Sequence, residues 1–276
     1  MEGRYNIQPK KGLTGFQLKI IAMVLMTFDH IHAYLNYNQN IPIQFRWMGR
    51  LVAPLFIFMT VEGYHFTRSR KRYMFRLYTA YVIMAIGNNL LDRFLPRPDG
   101  VIISSSMFGT LFLVVVYLSI VDFLRKAFIE KKILKMLLGI VFLLTPIFFS
   151  FIIIMNLNNI SLLFFRILVT LIPMPLFVEG NIVFIAIGII LYLFRSNKNK
   201  QIISYILISV VFLISSRDFS IQGLLYKNYQ WMMIFAAPLM YLYNGTKGRD
   251  IKYLFYIFYP THIYLFHMIS YYMLTR

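Results

Sequence analysis

The sequence predicts an all-α protein, a polytopic transmembrane helical bundle of nine to ten spans with a cytoplasmic N-terminus. Three observations lead to this prediction. The 276 residues are 59% hydrophobic and only 14% charged, against about 25% charged residues in an average soluble protein. Apolar runs close to the ~20 residues that cross a bilayer recur along the whole chain. Basic residues collect in alternate segments between those runs, as the positive-inside rule requires.

Nine apolar runs are predicted to cross the membrane, and residues 1–276 are predicted to form one integral membrane domain. The runs are 16–35, 47–66, 74–94, 101–123, 132–155, 179–195, 202–216, 229–244 and 251–273. With the N-terminus inside, the segments on the cytoplasmic side carry most of the 28 Lys and Arg residues. The first run is expected to be a retained anchor, because no small-residue cleavage site follows a short apolar region.

Residues 156–178 do not fit this count, because the segment is apolar but contains Arg166, Pro173 and Pro175. A tenth span here would move the later basic clusters to the outer side. A re-entrant segment keeps the charge distribution intact, and irregular backbone at membrane depth is tolerated where protein or a cavity surrounds it. We favour the re-entrant segment, with the tenth span as the alternative.

Composition and spacing argue against several classes of function. The chain has no cysteine, which excludes disulfides and thiol catalysis. The net charge of +18 could suggest nucleic acid, but the basic clusters lie in loops too short to build a nucleic-acid-binding face. No metal is expected, since no pair of histidines four residues apart has a carboxylate as third ligand.

The first span is interrupted by Asp29, His30 and His32 near its outer end. An acid at the centre of a span costs about 3 kcal/mol on insertion scales, so such residues need a partner or a reaction. At 1.5 Å per residue, His30 lies roughly 21 Å from Phe16, in the outer third of the membrane. Arg50, at the outer end of the second span, is predicted to lie at the same level.

This level therefore holds an acid, an imidazole and a guanidinium that can contact one another. Asp29 shares a helix face with His32, so it can hold either His32 or Arg50, while His30 points towards a cavity. A neutral imidazole is well suited to remove a proton from a hydroxyl or amine near neutral pH. The alternative is a polar cluster that only fixes helix packing.

The second span ends at Glu62 and is followed by a basic run. One interpretation is a positive-inside stop signal. The other is an anion site at the inner face, where Arg and Lys bind the phosphates of a nucleotide-type cofactor. Glu62 needs a partner, and the basic run is the nearest one. The residues of the run are Arg68, Arg70, Lys71, Arg72 and Arg76.

The last span contains Tyr259, Pro260 and His262. The proline can bend the helix around a cavity. His262 is placed near the middle of the membrane, where a lone histidine is most often a hydrogen bonder between helices. Both Tyr259 and His262 are assigned a supporting polar role, as are His32 and Glu62.

Four sequence motifs in order resemble the TraX family of membrane proteins. They are Leu18–Ala22 with Asp29-His30, Gly49–Phe56 continuing to Glu62-Gly63-Tyr64, Tyr229–Met233 with Leu242–Gly245, and Lys252–His262. The resemblance implies acetylation of a pilin N-terminus and kinship with a wider group of membrane acyltransferases. In that group a histidine of the first span is reactive, and cytoplasmic acetyl-CoA is the donor.

The resemblance implies that His30 is the reactive histidine and that the basic run at Arg68 to Arg72 lies on the coenzyme side. The leading hypothesis is an acyltransferase that moves acetyl from acetyl-CoA to an amine or hydroxyl of an extracytoplasmic acceptor, a protein N-terminus or a surface glycan. His30, Asp29 and Arg50 form its predicted catalytic group. The alternatives are a proton-coupled transporter, for which intramembrane acids and histidines are equally natural, and a non-catalytic assembly factor of a conjugation or secretion system.

Overall fold

The computed structural model describes residues 11–36, 40–103, 106–250 and 252–275, and this part of the chain is all-helical, as predicted. A 3₁₀-helix (Leu157–Asn159) precedes α7, and a π-helical turn (Gly223–Lys227) and a 3₁₀-helix (Gln230–Phe235) precede α10. The helices are α1 (Gly15–Leu35), α2 (Gln44–Gly49), α3 (Val52–Phe66), α4 (Arg70–Phe94), α5 (Met107–Ile129), α6 (Ile133–Met155), α7 (Leu162–Leu171), α8 (Asn181–Leu193), α9 (Lys198–Ile214), α10 (Ala236–Leu242) and α11 (Lys252–Thr275).

Side-chain caps determine where several helices begin. Thr14 accepts a hydrogen bond from the amide of Gln17, whose side chain accepts one from the amide of Thr14, and α1 follows this capping box. Ser69 caps α4, and Ser106 caps α5. These caps satisfy amides that would otherwise lack a partner at a helix start. The fourth predicted span therefore begins as a helix after Ser106 rather than at residue 101.

Contacts between helix ends show that successive long helices run in alternating directions. Asp122 near the end of α5 pairs with Arg70 at the start of α4. Met107 at the start of α5 bonds to Tyr259 in the middle of α11. We call the end of the bundle that contains Gly15, Arg70 and Asp122 the α1 N-terminal end, and the opposite end the α1 C-terminal end.

Within the described residues, three helices are long and apolar enough to cross a membrane: α1, α5 and α6. They differ in their surroundings. In its most apolar window α5 is 56% buried, and it packs at the centre of the bundle, whereas α6 is only 17% buried. Leu134, Phe142 and Phe148 of α6 are exposed. Such a surface is suited to hydrocarbon rather than to water, so the chain is a membrane protein.

The segment predicted to be re-entrant contains one short helix, α7. Ten residues of helix are about 15 Å long, half the thickness of the hydrocarbon core. Its last carbonyl, that of Leu171, accepts a hydrogen bond from Tyr78 within α4 (2.9 Å). The chain then turns back, and the carbonyl of Glu179 accepts a bond from Thr110 near the start of α5 (2.6 Å). The segment thus contains one short helix whose two flanks bond to α4 and to α5.

Candidate functional site

The second predicted span is not one helix, because α2 and α3 are separated by a turn at Arg50. Pro54 explains the break, since it has no N–H to donate to the carbonyl of Arg50 four residues earlier. Gly49 lies at the same turn, and a Cβ atom added there would overlap the side chain of Asp29. The break and the glycine together let Asp29 of α1 lie directly beside Arg50.

Asp29 is paired with two arginines. Nη1 of Arg46 donates to its Oδ1 at 3.0 Å, and Nη2 of Arg50 lies 3.5 Å from the same oxygen. Arg50 also donates from Nη1 to the side-chain oxygen of Gln230 (3.0 Å), and its guanidinium carbon lies 5.5 Å from the centre of the Tyr229 ring. The prediction that Asp29 and Arg50 share a level is confirmed. The charge of the Asp29 carboxylate is thus balanced by guanidinium groups, and the carboxylate holds Arg50 in place.

His30 is bonded to the last helix. Its Nδ1 lies 2.8 Å from Nε2 of His262, and Nδ1 of His262 lies 2.7 Å from the carbonyl oxygen of Phe258. The interpretation of His262 as a hydrogen bonder between helices is therefore confirmed. His32 bonds to the side chain of Asn36 (3.1 Å) rather than to the preceding acid. The two histidines of the first span thus have different surroundings.

Glu179 lies at the same level as Asp29 and His30, and no role was predicted for it from the sequence. Its Oε2 accepts a hydrogen bond from Tyr259 (3.4 Å), whose hydroxyl also accepts one from the amide of Met107 (3.1 Å). No ion pair joins Glu179 to a Lys or Arg among the described residues. Gly180 follows with φ of 71°, a conformation that favours glycine. The only sign of this residue in the sequence is that Glu179 and Asn181 are polar and come directly after residues 156–178, the segment predicted to be re-entrant.

These groups line a cavity of about 220 Å³, which we call the site cavity. A wider cavity of about 630 Å³, which we call the open cavity, shares most of its polar lining and extends towards the α1 C-terminal end. Four of the five shared residues were predicted from the sequence as site residues, and Glu179 was not. The shared residues are Asp29, His30, Arg50, Glu179 and Tyr259.

The rim of the open cavity is a charged loop outside the helices. Arg97 donates to both carboxylate oxygens of Asp99, at 3.0 and 2.5 Å. This bidentate hydrogen bonding lowers the pKa of Asp99 below its ordinary value. Arg97 also donates to the carbonyl of Tyr34 near the end of α1 (3.4 Å). The loop is thereby attached to the helix that carries His30.

A third cavity, of about 430 Å³, lies at the α1 N-terminal end, and we call it the basic cavity. Lys19, Arg76 and Lys247 line it, and its deeper wall is apolar. Phe56 belongs to that wall and also lines the site cavity. The ring of Phe56 is 3% exposed and lies 4.3 Å from the ring of Phe255, centre to centre. One phenylalanine therefore separates the basic cavity from the site cavity.

Backbone pairing builds the entrance of the basic cavity. The amide of Leu13 donates to the carbonyl of Leu242 (2.8 Å), and the amide of Gly15 donates to that of Thr246 (2.8 Å). The amide of Phe16 donates to the carbonyl of Lys247 (2.9 Å). These bonds hold the segment before α1 against the loop before α11, which brings Lys247 to the start of α1.

The predicted phosphate-binding run is only partly at this cavity. Arg76 lines it, because it lies one turn inside α4. The Arg70 guanidinium instead pairs with Asp122 (2.7 Å) and lies 4.4 Å from the centre of the Tyr64 ring. The other three are exposed and line none of the cavities described above; they are Arg68, Lys71 and Arg72.

The predicted partner of Glu62 was wrong. Arg195, just after α8, donates from Nε and Nη2 to the two carboxylate oxygens of Glu62, at 2.8 and 3.1 Å. Glu62 is buried in the last turns of α3, and α3 packs against α8. The basic run begins only after the chain has turned at Thr67 towards the surface. Nearness in sequence therefore did not decide the pairing.

Comparisons with known proteins agree with the sequence motifs. A family model described as TraX protein matches residues 14–270. A probable fimbrial assembly protein FimC, serogroup H1, of Dichelobacter nodosus is 35% identical over 65 residues. That alignment covers 23% of this chain and 27% of the relative, so the chain matches about a quarter of that protein's length. No solved structure matches the chain.

Proposed function

This chain belongs to the TraX family, and on that premise we propose that it is a multi-pass acetyltransferase of the bacterial plasma membrane. It moves an acetyl group from cytoplasmic acetyl-CoA to an extracytoplasmic acceptor, with His30 as general base. One observation carries the proposal. The basic, site and open cavities follow one another between the two ends of the bundle, and His30 lines the second and third.

In this proposal the α1 N-terminal end faces the cytoplasm, and nine segments cross the membrane. The alternating directions of the long helices support nine crossings, with α7 entering and leaving on one side. The distribution of basic residues supports the orientation, because the exposed residues Arg68, Lys71 and Arg72 lie at the α1 N-terminal end. The basic cavity then opens to the compartment that supplies acetyl-CoA.

The basic cavity suits the donor in charge and in length. Lys19, Arg76 and Lys247 supply cations for the phosphates, and the apolar wall suits the pantetheine arm. From Lys19 to Asp29 the helix rises by about 15 Å, which is comparable to the reach of that arm. The thioester would therefore arrive beside Phe56. Of the predicted phosphate-binding residues, Arg76 keeps this role in the proposal.

The site cavity supplies the groups for transfer. The acceptor nitrogen or oxygen forms a bond to the acetyl carbonyl carbon, and the bond from that carbon to sulfur breaks. His30 takes the proton of the acceptor and returns it to the leaving thiolate, so that free coenzyme A is released. Arg50, held by Asp29, stabilises the negative charge that develops on the carbonyl oxygen.

An amine acceptor fits this cavity better than a hydroxyl. The α-amino group of a peptide is largely protonated near neutral pH. Glu179 has no cationic partner among the described residues, so its carboxylate is available to bind the ammonium and to take the proton that the nitrogen must lose before it attacks, for release to solvent through the open cavity. The name of the fimbrial assembly relative and the implied activity of the family also favour a pilin N-terminus as acceptor.

The test is acetyl transfer by the purified protein in liposomes. Radiolabelled acetyl-CoA is added with a peptide that has a free N-terminus, with the same peptide blocked at its N-terminus, or with a glycan. We expect label on the free amine, and His30→Ala should lower the rate by about 10²–10⁴-fold, the usual contribution of a general base. His65→Ala is the matched control, since His65 is exposed at the end of α3 and lines none of these cavities.

The outcomes separate the parts of the proposal. Wild-type protein that neither binds nor turns over acetyl-CoA would contradict the enzyme and favour a non-catalytic assembly factor. Unchanged transfer by His30→Ala would contradict only the assigned base. Label on the glycan but not on the peptide would contradict the amine acceptor.

A further inference from the structure

The hydrogen bonds around His262 determine which nitrogen of His30 carries its hydrogen. A carbonyl oxygen can only accept, so the Nδ1 atom of His262, 2.7 Å from the carbonyl oxygen of Phe258, must be the donor of that bond. In a neutral imidazole the other nitrogen is then an acceptor. Nε2 of His262 therefore accepts the 2.8 Å bond from Nδ1 of His30.

We infer that His262 is a positioning residue, which holds His30 in the tautomer with hydrogen on Nδ1 and a lone pair on Nε2. The hydrogen bond made by one ring nitrogen fixes the state of the other. Nε2 of His30 has no hydrogen-bond partner among the described residues, and His30 lines both the site cavity and the open cavity. The lone pair is thus presented to the space where the acceptor is proposed to bind.

The groups around His30 and His262 disfavour a positive charge on these two rings. Arg46 and Arg50, both bound to Asp29, line the open cavity together with His30, and their guanidinium groups disfavour a positive charge on its ring. Neither ring forms an ion pair with a carboxylate among the described residues. The other titratable groups that share a cavity or a ring contact with His30 are His32, Tyr34, Arg97, Asp99, Glu179 and Tyr259.

Aromatic packing fixes the orientation of the His262 ring. Phe258 stacks on it with ring centres 4.8 Å apart and an angle of 17°, and Phe266 contacts it edge-on at 6.0 Å. Only 6% of His262 is exposed. The ring therefore cannot rotate freely to exchange its donor and acceptor atoms. This inference deepens the proposed function, because it identifies Nε2 as the atom that takes the acceptor's proton.

The tautomer can be measured without any assay of activity. The chain has 5 histidines, so ¹⁵N-labelled histidine gives a spectrum simple enough to assign with single variants. We expect His30 of the wild type to carry its hydrogen on Nδ1. His262→Leu should release this preference, and His262→Gln should keep it, because the amide oxygen of glutamine can accept in place of Nε2.

Acetyl transfer is then measured on the same variants. His262→Leu should lower kcat by up to about 10⁴-fold, the loss that follows when a catalytic imidazole has the wrong tautomer. The KM for acetyl-CoA should not change, since an orienting group acts on the base rather than on donor binding. His262→Gln should recover most of that loss. A wild-type His30 with hydrogen on Nε2, or a His262→Leu variant that keeps both the tautomer and kcat, would overturn the inference. A correct tautomer without acetyl transfer in any variant would overturn the proposed function and leave the assignment of His262 intact.

Discussion

Two groups of carboxylates in this bundle look alike in the sequence and differ in the structure. At the α1 N-terminal end, Glu62 is bonded twice to Arg195. Asp122 in the same half accepts from Tyr64 at 2.9 Å and Tyr192 at 2.6 Å, and pairs with Arg70. These acids have their oxygens occupied by protein groups, and their contacts join four helices.

The group around the site cavity is different. Asp29 is similarly occupied by two arginines, but Glu179 keeps only one long hydrogen bond, and Nε2 of His30 has no partner among the described residues. A polar atom inside the packed core must be satisfied by the protein itself, whereas a polar atom that lines a cavity can bond to a ligand. On the proposed function, unused hydrogen-bonding capacity that faces a cavity, rather than residue type, distinguishes Glu179 from Glu62 and Asp122.

The largest effect on stability is expected at Glu62. Removal of one partner from a buried ion pair leaves the other charge uncompensated, which typically costs about 3–5 kcal/mol. The side chains of Glu62 and Arg195 are 7% and 22% exposed. Glu62→Ala should therefore lower the melting temperature of the purified protein strongly, and Glu62→Leu combined with Arg195→Met should recover most of the loss.

An exposed pair provides the control for this measurement. Lys126 and Glu130 lie one turn apart, with 3.8 Å between Nζ and Oε1, and the lysine is 77% exposed. Such surface pairs contribute little, so Lys126→Ala should leave the melting temperature unchanged. An equal loss in both single variants would remove the basis for treating Glu62 as structural.

The second prediction compares Glu179 with Asp122 directly. Glu179→Gln should reduce acetyl transfer to a peptide amine by about 100-fold, because a charge-assisted contact worth some 1.5–3 kcal/mol is lost. It should also raise stability by about 1 kcal/mol, or roughly 2–4 °C in Tm, as often follows when an unpaired functional group is removed. Asp122→Asn should do the opposite, lowering the Tm by a few degrees with little change in transfer per folded molecule.

The acetyl-transfer rate and the melting curve of each variant are measured on the same preparation of that variant. Together they show whether Glu179 and Asp122 differ as expected. Loss of stability in Glu179→Gln would mean that this acid also joins helices. Selective loss of transfer in Asp122→Asn would place the functional acid at the other end of the bundle. Either result would reverse the distinction between the two groups.

The difference between the two groups of carboxylates could be predicted from the sequence only in part. Positions along one helix were predicted, but most pairings between helices were not. Helix rise is regular, so counting residues placed Asp29 and Arg50 at one level correctly. Apolar length predicted the long helices, and Pro173 and Pro175 marked the segment in which the structure has only one short helix, α7. These are local properties, set by the backbone and by neighbours in the chain.

Pairings between distant elements depend on how the helices pack, which no local pattern contains. Glu62 and Arg195 are far apart in the chain, and Glu179 reaches the site only because the re-entrant segment turns back towards α5. Arg46, which binds Asp29 more closely than Arg50 does, lies just before the predicted second span of residues 47–66. Only one residue of the basic run, Arg76, lines the basic cavity, since the others lie before α4 or in its first turn.

The smallest expected effect concerns Phe56, which lies between the basic cavity and the site cavity. The chain has no cysteine, so a single Ala53→Cys, which lines the site cavity, can be labelled without background. A small membrane-impermeant thiol reagent should reach it through the open cavity from the outer side. When Ala53→Cys is the only substitution, Phe56 should prevent labelling from the cytoplasmic side.

Replacing Phe56 with valine should increase labelling from the cytoplasmic side several-fold, measured in inside-out vesicles. The change is smaller than Phe56→Ala, which would cost about 3–5 kcal/mol as a core truncation. Phe255→Val is the matched control, because Phe255 lines the basic cavity and packs on Phe56 without reaching the site cavity. Equal labelling in both variants would show that Phe56 is not the partition. Labelling of the Ala53→Cys variant with Phe56 intact from the cytoplasmic side alone would reverse the proposed orientation, because the open cavity would then face inwards.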